Sequence, residues 1–160
     1  MCIFKDKWTK FTPTEKYLQV VKDLTTVAKL HNFIQQFKRK EDIKDYWQTP
    51  EETLNRLTYD CDDVMRFTVD VLVRVMGIEA VGMAHYGYNK ALWGNEKMGH
   101  AITVFPYQGK LAIFSNKRFK TGFDSYTDAG HYTFPRLKSY VIRDWQGKIL
   151  EKKSKIFGTF

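Results

Sequence analysis

The sequence predicts an α+β fold, in which helices come first and a mainly antiparallel sheet follows. Three observations predict it: threonine-proline helix starts at Thr12 and Thr49, a long apolar run between Asp60 and Gly77, and short alternating segments from Glu79 onward. At 160 residues the chain fits one domain. It divides into an N-terminal helical segment (1–44), a motif-bearing core (45–116) and a C-terminal loop with strands (117–160).

Thr12, Pro13 and Glu15 predict the first helix, because hydroxyl and carboxylate can each satisfy an orphan amide and proline suits the first helical position. Tyr17, Val20, Val21, Leu24, Val27, Ala28, Ile34 and Phe37 recur at helical spacing through the high thirties, with a break expected near Asn32. His31 falls on that face without a partner at ligand spacing and reads as a core histidine. "KRKEDIKDYW" reads as a polar linker. Thr49, Pro50 and Glu52 repeat the helix-start chemistry.

Asp60 is a natural N-cap for the next helix, and Cys61 lies in its first turn. Val64, Phe67, Val71, Leu72 and Val75 form an apolar stripe that Met65, Val69, Val73 and Met76 nearly close into a circle. Asp62, Arg66, Asp70 and Arg74 make the polar ridge. Such a helix is mostly buried, and Gly77 ends it. "EAVGMAHY", "HAITVF", "LAIFSN", "HYTFPRL" and "YVIRDWQGKIL" read as strands, whereas "TGFDSYTDAGHYTFPRL" reads as a long surface loop leading into one of them.

The formal charge of +8 decides little alone, since the basic clusters "FKRK", "NKRFK" and "EKKSK" lie far apart with no nucleic-acid fold signature around them. A solvated face is the simpler reading, and nucleic acid is disfavoured as a partner. The first twenty residues lack the apolar stretch of a signal peptide, and no run is long enough to span a membrane. Cys2 and Cys61, the only cysteines, fit free thiols in a reducing compartment, so a cytoplasmic location without membrane attachment is expected.

A thiol reacts as its thiolate, which a helix N-terminus stabilises through its amides and dipole. Position thus favours Cys61 as a nucleophile, while Asp60, Asp62 and Asp63 oppose thiolate formation. Among four histidines, His100 opens the strand-like "GHAITVF". A three-residue loop, Tyr107-Gln108-Gly109, pairs Pro106 with Lys110 and His100 with Asn116 on one sheet face. A two-residue loop, Gln108-Gly109, puts His100 and Asn116 on opposite faces. The longer loop gives a Cys61-His100-Asn116 triad: sulfur to attack a carbonyl, imidazole to carry the proton, amide to hold the ring. Trp47, Gln48 and Asn55 are candidate second donors to the oxyanion.

With these residues assembled, the chain resembles the transglutaminase-like superfamily of papain-like folds, and most of all its bacterial transglutaminase-like cysteine peptidases. "DYWQTPEETL", "DCDD", "LVRVMGI", "GHAITVF" and "LAIFSN" carry the resemblance, in that order, from about Asp45 to Asn116. It implies a thiol-dependent acyl-transfer enzyme, a cysteine peptidase or amidase acting on a protein or peptide, from a bacterial or phage source. Tyr59 stands where that family usually has glycine. The usual aspartate of its third-member strand aligns with Ser115, leaving Asn116 as the following residue. Some relatives resemble calcium binders, for which Asp60, Asp62 and Asp63 are the candidate ligands. The plainer expectation is no required cofactor, with Asp60 as cap and Asp62 paired to Arg66. Amine transfer at the same site and a non-catalytic binding or structural module are the alternatives.

Overall fold

The protein is described by a computed structural model covering residues 8–40, 46–154 and 156. Cys2, residues 41–45 of the expected linker at 38–47, Lys155 and residues 157–160 lie outside the described residues, while the start of that linker forms a strand.

The N-terminal helices are α1 (Glu15–Val21) and α2 (Val27–Ile34). Helix α1 starts two residues later than the Thr12 reading predicts, because the Thr14 hydroxyl accepts the Tyr17 amide at 3.3 Å. The break falls before α2 and not near Asn32, since Thr26 caps a second helix by accepting from the Lys29 amide at 3.2 Å. Strand β1 (Lys38–Arg39) follows.

Helix α3 (Pro50–Arg56) begins as the sequence predicts. Thr49 Oγ1 accepts the Glu52 amide at 3.2 Å, and Glu52 Oε2 accepts the Thr49 amide at 2.8 Å. Thr49→Ala removes half of this box and is expected to cost about 1 kcal/mol in urea unfolding. An unchanged midpoint would show that Glu52 alone suffices. Leu57 then takes a left-handed backbone and leads into β2 (Thr58–Tyr59), which pairs in parallel with β1.

Helix α4 (Cys61–Arg74) is buried along most of its length, as its near-complete apolar circumference requires. Its polar ridge is buried too: Asp62, Arg66 and Asp70 are each at most 4% exposed. Asp70 accepts the Tyr17 hydroxyl at 2.7 Å and pairs with Arg74 at 2.8 Å. Gly77, with φ of +66°, turns the chain out of the helix.

The main sheet has six antiparallel strands in the order β6-β5-β4-β3-β7-β8. They are β3 (Val81–Tyr88), β4 (Met98–Tyr107), β5 (Lys110–Ser115), β6 (Arg118–Phe123), β7 (Arg136–Arg143) and β8 (Ile149–Lys153). Short helix α5 (Lys90–Trp93) joins β3 to β4. The expected surface loop after Asn116 contains β6 and then α6 (Tyr126–Thr133), capped by Ser125, whose hydroxyl accepts the Asp128 amide at 3.1 Å.

Helix α4 covers one face of this sheet and α6 the other. Thr68 Oγ1 lies 2.6 Å from Thr103 Oγ1, whose hydroxyl also donates to the Met65 carbonyl at 3.1 Å. Phe105, Ala112 and Phe114 join the aromatic core of α1, α2 and α4. Met83, Ile102, Val104 and Ile113 face the α6 side, among Ala129, Phe134 and Leu137.

Candidate active site

Helix α4 sets the position of Cys61. Asp63 fixes the segment ahead of it: Oδ1 accepts the Gln48 amide at 2.9 Å, and Oδ2 accepts Gln48 Nε2 at 2.7 Å and the Asp60 amide at 3.0 Å. Gln48, a candidate oxyanion donor, therefore has its side-chain amide committed to Asp63. Cys61 is 6% exposed and packs with Trp47, Met65, Val69 and Ala101. Asn55, the third candidate donor, is exposed. Cys61 is disulfide-bonded, which corrects the expectation of a free thiol. The chain's other cysteine, Cys2, is outside the described residues.

The β4–β5 hairpin settles the loop. Tyr107 pairs with Lys110 and Pro106 with Leu111, so the turn is the two residues Gln108 and Gly109, with φ of +50° and +80°. Two consecutive left-handed residues match the twist of the flanking strands. The three-residue loop is thereby corrected, and with it the register that brought Asn116 opposite His100. Continuing the observed pairing places Asn116 opposite Ala101, on the other face from the imidazole. Asn116 itself has a left-handed backbone, φ of +52°.

The residue brought to the ring is Ser115. His100 Nε2 lies 2.9 Å from Ser115 Oγ, a diagonal neighbour on the adjacent strand. On the other side His100 pairs with His85, with ring centroids 5.6 Å apart. His85 is fully buried against Phe134, 5.2 Å between centroids. Burial pushes the His85 pKa well below the ordinary value, and proximity to His100 lowers it further. His100 falls to about 4, chiefly by burial and then by the charge of Arg39. Both rings are neutral at pH 7.

Cys61 and His100 do not share a sheet face. Ala101, which shares a buried cluster with Cys61, faces α4; His100 precedes it and by strand alternation faces α6, with His85 and Ser115. Sequence reasoning found both residues but missed His85 and the Ser115 contact. Ser115 was visible only as the residue aligned with the family's aspartate.

The carboxylates beside Cys61 form a second feature. Oxygens of Asp60, Asp62 and Asp63 lie within 4.8 Å of one another. Both Asp62 oxygens and Asp60 Oδ1 are buried, and among the described residues they have no hydrogen-bond partner outside the cluster itself. Burial, then the neighbouring Asp60 and Asp63 carboxylates, raise the Asp62 pKa to about 10. The expected Asp62–Arg66 pairing is not made by hydrogen bonds: Arg66 donates to the carbonyls of Thr9, Gln48 and Trp47, at 2.7, 3.0 and 3.4 Å. The reason is geometric, since the guanidinium is committed to these backbone carbonyls.

The site therefore consists of a cysteine opening a buried helix that packs on an antiparallel, histidine-bearing sheet. No protein-family model and no curated protein matches the chain. Among solved structures it is similar to LapG of Legionella pneumophila, at 18% identity and a TM-score of 0.48 over 82% of this chain and 66% of that one. The calcium-bound form is 18% identical, with a TM-score of 0.48 over 82% of this chain and 66% of that one. The EGTA-treated form is 18% identical, with a TM-score of 0.47 over 81% and 62% respectively. This chain thus spans at most 66% of the length of those LapG chains. At that level of superposition, the chemistry has to be read from this chain's own side chains.

Proposed function

We propose that the protein is a thiol-dependent acyl-transfer enzyme, a cysteine peptidase or amidase acting on a protein or peptide. The observation that carries this reading is the His100–Ser115 contact of 2.9 Å, next in the strand to Ala101, which shares a buried cluster with Cys61. With Nε2 held by Ser115, Nδ1 is the ring nitrogen available to take a proton. Ser115 is given the positioning role expected of Asn116.

The reaction begins with two-electron reduction of the Cys61 disulfide by an external dithiol, which is itself oxidised to a disulfide. His100 then turns toward the α4 side and accepts the thiol proton through Nδ1. The sulfur attacks the carbonyl carbon of an amide, the C–N bond breaks, and the imidazolium returns the proton to the leaving amine. Water hydrolyses the thioester and regenerates the thiol; an amine acceptor at that step gives transamidation instead. The first-turn amides of α4 supply positive potential for the oxyanion. A reducing, cytoplasmic setting belongs to the same proposal.

The Asp60–Asp62–Asp63 cluster fits a calcium ion, because it gathers hard oxygen donors, some of them buried without partners outside the cluster. Asp60 and Asp62 would hold the ion, and Asp63 would brace the loop. A bound divalent cation supplies positive charge that offsets the carboxylates opposing a Cys61 thiolate.

A second reading, a non-catalytic module on the same scaffold, is favoured by the opposite faces occupied by Cys61 and His100. Iodoacetamide kinetics on reduced protein separate the two. An activated Cys61 is expected to alkylate at pH 7 about tenfold faster than a model thiol, and His100→Ala to abolish the excess. Equal rates for wild type, His100→Ala and the model thiol would leave only the module.

A further inference from the structure

We propose that a Cys2–Cys61 disulfide holds the chain in a latent form, with the N-terminal segment ahead of Thr9 strapped over the nucleophile until a dithiol reductant releases it. The strap adds regulation to the Cys61 enzyme proposed above and rests on that reading.

Cys61 is disulfide-bonded, and Cys2 is the one other cysteine of the sequence, so within a single chain Cys2 has to supply the second sulfur. Oxidised in this way, the chain has no thiolate with which to attack a carbonyl. The first described residues after Cys2 are docked at the same place. Trp8 packs against the cluster of Cys61, Trp47, Met65, Val69 and Ala101. Its ring lies edge-on to Trp47, with centroids 6.3 Å apart, and its centroid is 5.5 Å from the Arg66 guanidinium carbon. Gly82 and Gly147 make room for the indole: an added Cβ would meet Trp8 Cζ3 at 2.7 Å from Gly82, and Trp8 Cγ at 2.7 Å from Gly147. One residue on, the Thr9 carbonyl accepts Arg66 Nη2 at 2.7 Å, and Arg66 is itself buried on α4. The interval of six residues from Cys2 to Trp8 spans up to about 20 Å when extended, so an anchor at Trp8 leaves the two sulfurs within reach of each other.

The two ends of the strap respond differently to a reductant. At the disulfide end, one thiolate of the dithiol attacks a protein sulfur to give a mixed disulfide, and its second thiol then displaces that sulfur. The S–S bond of the protein breaks, two electrons and two protons pass to it, and Cys2 and Cys61 become thiols while the reductant becomes a disulfide. At the Trp8–Thr9 end, packing and one hydrogen bond remain. This anchor keeps Cys2 at high effective concentration beside Cys61, so the latent form returns by exchange with a small-molecule disulfide once the reductant is gone.

The test reads the disulfide without turnover. After denaturing alkylation with iodoacetamide, the intact mass of the full chain equilibrated with glutathione disulfide should be that of an unlabelled monomer, and the dithiothreitol-reduced chain should carry two labels. Cys2→Ser, kept free of reductant and glutathione, should carry one label, on Cys61. In graded glutathione buffers, Trp8→Ala should be half-reduced at a ratio of squared glutathione to glutathione disulfide about tenfold lower than wild type, because its Cys2 is less confined. Trp93→Ala, which removes an indole packed on Phe134 on the α6 side, should leave the midpoint where it is. Trp8→Phe, expected to shift the midpoint in the same direction by less, takes the place of Trp8→Ala if that variant does not fold. A dimer linked through the cysteines, a label on the oxidised chain, an unchanged midpoint in the Trp8 variant, or equal shifts from the Trp8 and Trp93 variants would overturn the strap. None of these readouts involves His100 or acyl transfer, so failure of the strap is distinguishable from failure of the catalytic reading.

Discussion

Asp62→Asn is expected to stabilise the metal-free protein at pH 7 by about 4 kcal/mol, and to leave its stability near pH 4 almost unchanged. The folded carboxyl has its pKa raised from 3.8 to about 10, by burial and then by Asp60 and Asp63. The folded state therefore holds a proton that the unfolded chain releases above pH 4. The stability from that bound proton is complete below the unfolded pKa. It declines as pH rises toward the folded pKa, at about 1.4 kcal/mol per pH unit. Asparagine resembles the protonated acid in shape and does not titrate. Urea unfolding of both proteins from pH 4 to 8 measures the difference, and parallel curves would contradict the assignment. Calcium is expected to work in the opposite sense: at about 100 times its dissociation constant it would stabilise wild type by about 2.7 kcal/mol and Asp62→Asn much less. Equal stabilisation of the two proteins would exclude Asp62 as a ligand.

Phe67→Ala is expected to destabilise by about 3–5 kcal/mol. Phe67 is fully buried on α4, with its ring stacked 5.9 Å from Phe33 and edge-on to Phe37 at 5.3 Å and to Tyr17 at 6.5 Å. It therefore ties α1 and α2 to the helix that carries Cys61. Removing it leaves a cavity walled by rings from three segments, which cannot collapse together. The prediction is a lower unfolding midpoint and faster Cys61 labelling after reduction, as α4 loosens. A loss below 1 kcal/mol would mean that the N-terminal helices dock independently of this contact.

The helix starts at Thr49 and Asp60 were legible in the sequence because capping is a local interaction, settled within four residues. The class of fold was legible for a similar reason, since the apolar spacing changes visibly at Glu79. The hairpin register was not. Two loop lengths fit the same residues, and Gln108 is not a residue type that announces a left-handed backbone. Strand β6, "RFKTGF", escaped notice because most of its residues are exposed and no apolar alternation marks it. Helix α6 was hidden by Gly130, which reads as a breaker. Its glycine answers to close packing: an added Cβ would meet Leu137 Cδ2 at 2.7 Å and Met83 Cε at 2.9 Å. Of the candidate triad, Cys61 was placed by local chemistry, whereas the partner of His100 depended on that one uncertain turn.

The pairing of β4 with β3 carries a kinetic consequence. His100 sits three rungs in from the Met98 end of the ladder, opposite His85. For its ring to reach the α4 side, the rungs at Met98, Gly99 and His100 have to let go. Turnover would then be limited by how often this sheet corner frays, and amide exchange at those positions should quicken in step with any substitution that speeds acylation.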